Sequence, residues 1–346
     1  MITSISVVEL FCGAGGLTHG FERAGLPVIA GYDTDPACKF PYEQNNKSKF
    51  ILKGVEEVDG FELARHFLEC STKVLVGCAP CQPFSSYSRR YDDKESKWKL
   101  LQDFARLIYE CNPEIVSMEN VLQLKHHSVF KEFLQTLESL NYYVEVYEVN
   151  CLDYGIPQAR RRLVLLASKF HKIELIASTH TPKNYKTVRD AICHLEPLVN
   201  GQASTIDRLH KCSRLSELNL RRIRSSKPGG TWRDWSEELV AKCHVKTTGK
   251  TYPAVYGRME WDKPSPTITT QSFGFGNGRF GHPEQDRAIS LREAALLQTF
   301  PENYEFVAPN EPVIFKHVGR LIGNAVPVIL GEIIAQSILR HLEHIN

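Results

Sequence analysis

The sequence has one C-x-x-C pair, Cys78 and Cys81, and lacks a second at finger spacing; its other cysteines stand singly. A zinc site built on two such pairs is excluded, and no metal is expected. The opening "MITSISVVELFCG" has no basic start and no long apolar core, so no signal peptide is expected. The apolar run "LIGNAVPVILGEIIAQSIL" is interrupted by Asn324, Pro327 and Glu332, which argues against a membrane span. Scattered cysteines without a leader point to reduced thiols in a cytoplasmic protein. Charge of one sign is scarce too. The chain has 42 Lys and Arg against 40 Asp and Glu, a net +2, so the totals announce no polyanionic partner. Internal repeats and low-complexity tracts are absent.

What is present is an ordinary globular composition. At 346 residues and 42% hydrophobic, the chain can bury a sizeable core and suggests two domains. Its first half alternates short apolar runs with helical patterns. Strands are expected at "ISVVELF", "PVIAGYD", "KFILKG", "KVLVG", "PEIVSMEN", "YYVEVYEVN" and "RRLVLLAS". Helices are expected between them, one of them, "PACKFPYEQN", interrupted by Pro41. Such strand–helix–strand units predict an α/β fold with a mostly parallel, doubly wound sheet. Past about residue 170 the regularity fails, and 199–287 reads as a second, irregular domain. Helical patterns return in "SLREAALLQTF" and in the last thirty residues, whose apolar side is expected to pack back on the sheet domain.

Two stretches carry candidate chemistry. In "VVELFCGAGGLTHGF", glycines follow a strand and open a helix, where backbone N–H groups can approach a ligand closely. The dinucleotide pattern would need glycine at position 18, which is Thr18, so a pyrophosphate site is disfavoured. Asp33 ends the second strand and is suited to accept from ribose hydroxyls. Together these fit an adenosine-bearing cofactor without a pyrophosphate, S-adenosylmethionine being the candidate. The second stretch is "VLVGCAPCQPFSSYS". A thioredoxin-type pair opens a helix, whereas here Cys81 leads into a polar loop with Pro83. A nucleophile on a loop at the C-terminal sheet edge remains, and Cys81 suits it better than Cys78, which reads as a packed, inert thiol.

"ELFCGAGG", "PCQPFS", "MENV", "QARRRLVLL", "LREAALLQTFP" and "GNAVPV" follow one another in this order. This set resembles the ordered motifs of the cytosine-C5 DNA methyltransferases in their compact bacterial form. The resemblance covers both ends and most of the first half and thins over roughly 170–265. It implies the doubly wound mixed sheet of the S-adenosylmethionine methyltransferases with a smaller, irregular target-recognition domain. On that reading residues 1–198 and 315–346 form the catalytic and cofactor-binding domain, and 199–314 the target-recognition domain and hinge.

The resemblance makes Cys81 the nucleophile that adds to cytosine C6, through a covalent intermediate. Glu119 hydrogen-bonds N3 and the exocyclic amine, relieving charge as sulfur adds. A carboxyl partly desolvated in a closed pocket holds its proton more readily, as that role needs. Arg162 reaches the cytosine O2 and Arg160 supports the catalytic loop, the two lying on one face of a strand with Arg161 on the other. Asn120 orients the Pro-Cys loop. Phe11, Gly13, Gly15, Gly16, Asp33, Pro80, Leu100, Asn324 and Val326 are implied as cofactor contacts. Two positions depart from the pattern. Thr34 stands where the family often has a bulky residue over the adenine, and Val55 where an acid is expected, with Glu56 beside it.

The implied target is a cytosine flipped out of duplex DNA. Ser85 and Arg89 or Arg90, in the polar loop 84–97, are placed near phosphates. Between Ile206 and Arg258 there are 12 Lys or Arg against 5 Asp or Glu, interleaved with Trp232, Trp235 and Tyr252. That suits phosphate contact and groove insertion. Arg233 and Arg258 belong to this group of candidate DNA contacts, with Thr269 presented to the DNA backbone. A monomer is expected, acting on double-stranded DNA and associated with the nucleoid when bound. One branch of the family acts on transfer RNA with the same Pro-Cys and Glu-Asn-Val motifs; the basic second domain favours DNA.

Overall fold

The computed structural model describes residues 5–68, 71–80 and 94–345, the side chains of 94–97 left aside. Those residues divide into two compact units. The first comprises the chain up to Tyr154, Arg161–Thr179, and the chain from Val326; the second comprises Gly155–Arg160 and His180–Ala325.

The first unit is built on seven strands: β1 Ile5–Leu10, β2 Val28–Asp33, β3 Lys49–Leu52, β4 Thr72–Gly77, β5 Ile115–Asn120, β6 Tyr143–Asn150 and β7 Arg161–Ser168. Their order in the sheet is β3-β2-β1-β4-β5-β7-β6. The first five run parallel, while β7 is antiparallel to both β5 and β6. This is the mostly parallel mixed sheet of the α/β class. Its central strands are apolar almost throughout (Val7, Val8 and Leu10 in β1, Val74 to Val76 in β4) because helices cover both faces. β6, at the margin, is half-buried or exposed at every position but Val149. Winding reverses between β1 and β4. In open sheets the crevice at the strand C-termini beside that point holds ligands.

Among the described residues, six α-helices complete the unit: α1 Gly16–Arg23, α2 Lys39–Asn45, α3 Gly60–Arg65, α4 Lys94–Cys111, α5 Ser128–Ser139 and α6 Val328–Glu343. Pro41 does not interrupt α2. It falls in the first turn, where a missing N–H leaves no hydrogen bond unmade. Phe104, Leu107 and Ile108 of α4 and Phe130, Phe133 and Leu137 of α5 pack with Leu75, Val116, Met118 and Leu165 of the sheet. Each such side chain, fully buried, contributes about 1.5–3 kcal/mol. α1 meets α6 through glycines. A Cβ on Gly20 would lie 2.3 Å from the Val328 carbonyl oxygen, so only glycine allows that approach. The stretch Phe315–Glu343 has the length and hydropathy of a membrane span, but 72% of its most apolar window is buried.

The second unit has little regular structure. Its principal helices are Glu217–Ser225, Leu291–Leu297 and Phe315–Asn324, with a two-stranded parallel sheet of Gln158–Ala159 and Ser265–Pro266. Irregular backbone leaves carbonyls that ladders would otherwise satisfy, and buried arginines take that role here. Arg258 Nε donates to the carbonyls of Ile223 and Ser226, both at 3.0 Å, and its Nη1 to those of His282 and Gln285. Arg287, fully buried, makes a two-pronged ion pair with Glu293 at 2.7 Å on each arm. That pair and the Ser290 cap hold the Glu293 carboxyl well below its usual range, at about 2, against the burial that would raise it.

The sequence boundaries assigned residues 180–198 and 315–325, and also 155–160, to the catalytic domain, whereas in the structure they fall in the second unit. Backbone pairing explains the first: Val188 N donates to Lys263 O and Arg189 N to Trp261 O. Close packing explains the second. Cβ atoms on Gly319 and Gly323 would run into Phe273 and into the backbone of Thr269 and Thr270.

Candidate active site

The C-terminal edge of the first unit's sheet carries Phe11 after β1, Asp33 at the end of β2 and Glu119 next to last in β5. After Leu10 the chain turns through Phe11 (φ 58°), Gly13 (φ 53°) and Gly15 (φ 86°) before α1 starts at Gly16. Two of these left-handed positions carry glycine, which adopts them without strain. Phe11 does so with a side chain, held by edge-on packing on Phe104 at 6.4 Å. The turn is pinned to the next strand: Cys12 N donates to Tyr32 O at 3.0 Å. Gly13 N and Asp35 N each donate to the Asp33 carboxylate at 2.9 Å. Burial pushes the Asp33 carboxyl up, and those backbone bonds oppose the rise.

Beneath the turn lies a polar chain that sequence reasoning missed. Thr18 Oγ1 donates to Glu9 Oε2, and lies 2.9 Å from the Tyr42 hydroxyl, itself 2.8 Å from Ser48 Oγ. Glu9 is 1% exposed, and burial pushes its carboxyl up to about 8. Thr18, read only as the absent third glycine, is thus the link between α1 and the core of the sheet. The available signal was one acid inside the apolar run "VVELF".

At the other candidate contacts, Thr34, Glu56 and Pro80 are exposed, Val55 is buried, and Leu100 packs partly buried against the core. Val326 is buried in the first unit; Asn324 is exposed in the second, at the end of the helix Phe315–Asn324.

Glu119, 3% exposed, ends β5. Because β7 is antiparallel, its first residues stand beside the last of β5, with Glu119 opposite Val164 and Asn120 opposite Leu163. Arg162 is one step further on. Its Nε lies 2.9 Å from Glu119 Oε1, an ion pair not aligned as a hydrogen bond. The other carboxylate oxygen, Oε2, accepts from Cys78 Sγ at 2.8 Å. Asn120 Nδ2 donates to Ala79 O at 3.0 Å, tying β5 to the residue before Pro80. Cys78 is therefore no packed bystander. It is half-buried and bonded to the candidate carboxyl.

Arg160 and Arg162 do not share a strand face. β7 begins at Arg161, which pairs with Glu148 at 2.9 Å. Arg160, 5% exposed, belongs to the second unit, where its Nη1 donates to Gln158 Oε1 at 3.3 Å and to Ile268 O at 3.4 Å.

Cys81, Ser85, Arg89 and Arg90 lie outside the described residues. Arg258, expected to touch DNA, is 5% exposed, and its guanidinium is committed to four carbonyls and Asp286. Trp232 and Trp235 are likewise packing residues, buried with Leu239 and stacked or tilted on His244. Arg222 is buried too, donating to Leu239 O. Arg221, Arg224, Arg233 and Thr269 are exposed; Arg224 lies 3.3 Å from Asp286 and Arg233 donates to Lys250 O. A groove of about 930 Å³ in this unit is lined by Asn200, Arg214, Ser216, Glu217, Arg224 and Gln285 among others. No group of three or more His, Cys, Asp or Glu among the described residues is placed to hold a metal ion.

The family model for C-5 cytosine-specific DNA methylases matches residues 5–340. Type II methylase M.HgiDII of Herpetosiphon aurantiacus is 56% identical over 344 residues, covering 99% of this chain and 97% of its own length. Type II methyltransferase M1.HphI of Haemophilus parahaemolyticus is 31% identical, covering 97% of this chain and 87% of its own. Among solved structures, a prophage-encoded DNA modification methyltransferase of E. coli aligns with a TM-score of 0.74 at 22% identity, over 98% of this chain and 100% of that one. At that identity the match speaks to the fold.

Proposed function

The chain belongs to the C-5 cytosine-specific DNA methylase family and is a DNA methyltransferase, and from that premise we propose that it methylates a flipped-out cytosine in duplex DNA, with S-adenosylmethionine as donor and Cys81 as nucleophile. The observation that carries this reading is the buried Glu119 paired with Arg162, with Asn120 tied to the residue before Pro80 and Cys81.

The residues at the turn fit the donor. A Cβ on Gly13 would meet nothing within 4 Å, so there is open space over the turn. Asp33 is oriented by two backbone donors and has acceptor capacity left for ribose hydroxyls. Phe11, Gly13, Gly15, Gly16, Pro80 and Leu100 are the other residues of this unit that would hold it, with Glu56 as the candidate acid in place of Val55. When bound, the donor supplies an electrophilic methyl group.

Cytosine C5 is a poor nucleophile within its ring. The Cys81 thiolate forms a bond to C6, breaking the C5–C6 double bond and making C5 nucleophilic. Glu119 donates at N3 and accepts from the exocyclic amine, so the charge that builds there is neutralised. Arg162, adjacent to Glu119, takes the O2 oxygen. After C5 has gained its methyl, loss of its proton restores the double bond and expels the Cys81 sulfur. Extruding the base costs a few kcal/mol, which contacts to the DNA must offset. The type II names of the relatives favour a role beside a restriction enzyme.

Incubation with methyl-labelled S-adenosylmethionine is expected to leave 5-methylcytosine in duplex DNA. Label confined to cytosine N4, to adenine or to RNA overturns the reading.

A further inference from the structure

We propose that Cys78 is a positioning residue for Glu119: its thiol fixes the carboxyl group that meets the cytosine. The inference rests on the role given to Glu119 above. Cys78 follows β4 and Glu119 ends the neighbouring β5, so the parallel pairing of the two strands brings the side chains together. Cys78 Sγ donates to Glu119 Oε2 at 2.8 Å while Arg162 Nε lies 2.9 Å from Oε1.

A carboxyl group held from one side only can rotate about its last side-chain bond, which is a broad, nearly two-fold torsion. A thiol donor on one oxygen and the Arg162 guanidinium charge beside the other restrict that freedom. The group is then set in one plane before substrate arrives, the preorganisation that electrostatic catalysis needs. The donor type matters as well. Glu119 must exchange this partner for the N3 and exocyclic amine of the incoming base. A thiol is a weak donor, so it orients the carboxyl yet yields readily to a stronger partner. A lysine at this place would hold the carboxylate through a charged bond about twice as strong and would resist the exchange.

The test compares Cys78→Ala and Cys78→Ser with the unaltered enzyme in steady-state methylation of duplex DNA, with Glu119→Gln as the control. The hydroxyl of the serine variant can still donate, so it should keep its turnover within about threefold. Cys78→Ala should lose about tenfold in kcat, the value of one hydrogen bond at the reacting group, with KM for DNA and affinity for S-adenosylmethionine unchanged. Cys78→Gly serves as the donor-free variant if the alanine protein does not fold. Wild-type turnover in every Cys78 variant overturns the inference, as does equal loss in the serine and donor-free variants, which reports packing rather than hydrogen bonding. A loss appearing in KM or in donor affinity overturns it too. Full activity in Glu119→Gln fails the functional reading itself, a result separable from the others.

Discussion

Individual side chains with similar sequence signatures separate sharply once their partners are known. Cys81→Ala should abolish turnover while leaving donor binding intact, and DNA containing 5-fluorocytosine should trap an adduct that peptide mapping assigns to Cys81. Arg258 makes the opposite prediction. Its removal strands several buried carbonyls and Asp286, so Arg258→Ala should cost about 3–5 kcal/mol of stability. The sites methylated by whatever protein folds should not change, and bisulfite sequencing checks this. Glu9 adds a pH dependence. The folded protein keeps the Glu9 proton up to about 8, against an ordinary value near 4.5, so the folded state binds more protons across that interval. Stability therefore falls as pH rises through it. Glu9→Gln, which keeps an acceptor for Thr18, should match the wild type near pH 5 and exceed it above pH 8, by about 1–3 kcal/mol in urea unfolding.

At the scale of elements, the periodic part of the chain was legible. Each expected strand of the first half is present, because buried parallel strands must be continuously apolar, and runs such as "KVLVG" and "PEIVSMEN" have no other use. Breaks inside an apolar pattern were harder to read. The expected strand through Arg160 and Arg162 ends between them, since the pairing partner changes from Ser265–Pro266 to β5 and β6, and pairing leaves no local signal. The hydrogen bond of Cys78 was unreadable for a similar reason: its partner is 41 residues away. The helix contact of α1 with α6 was visible only as an apolar face. Its dependence on glycine is a matter of backbone distance. Gly20→Ala should destabilise the protein by about 1–3 kcal/mol or more, read as a lower denaturation midpoint with the helices' own propensity raised rather than lowered.

For the molecule as a whole, the net charge of +2 conceals a division of labour. The second unit carries the local basic surplus, but burial removes Arg222 and Arg258 from the residues able to meet a duplex. Exchanging residues 180–325 for those of a relative with another target should transfer the methylated sequence, scored by bisulfite sequencing. A chimera that is active on the original site would place specificity outside this unit. Within it, Arg214 and Arg224 line a groove, so Arg224→Ala should weaken DNA binding; if the contact is to phosphate alone, the salt slope falls by about one. The aromatic residues "KPGGTWRDW" looked like groove-inserting ones because composition cannot separate a small aromatic core from a binding face. In a unit with few ladders, Trp232 and Trp235 build one of its small apolar clusters, with Leu239.

The α1–α6 contact bears on how the chain is made. Helix α6 lies almost 150 residues beyond Thr179, the last earlier residue of the unit that it completes. A ribosome exposes α1 and its five parallel strands long before the surface that covers Gly20 exists. The unit first translated is thus the last to be finished, and until then its uncovered helix face is open to chaperones and to wrong partners.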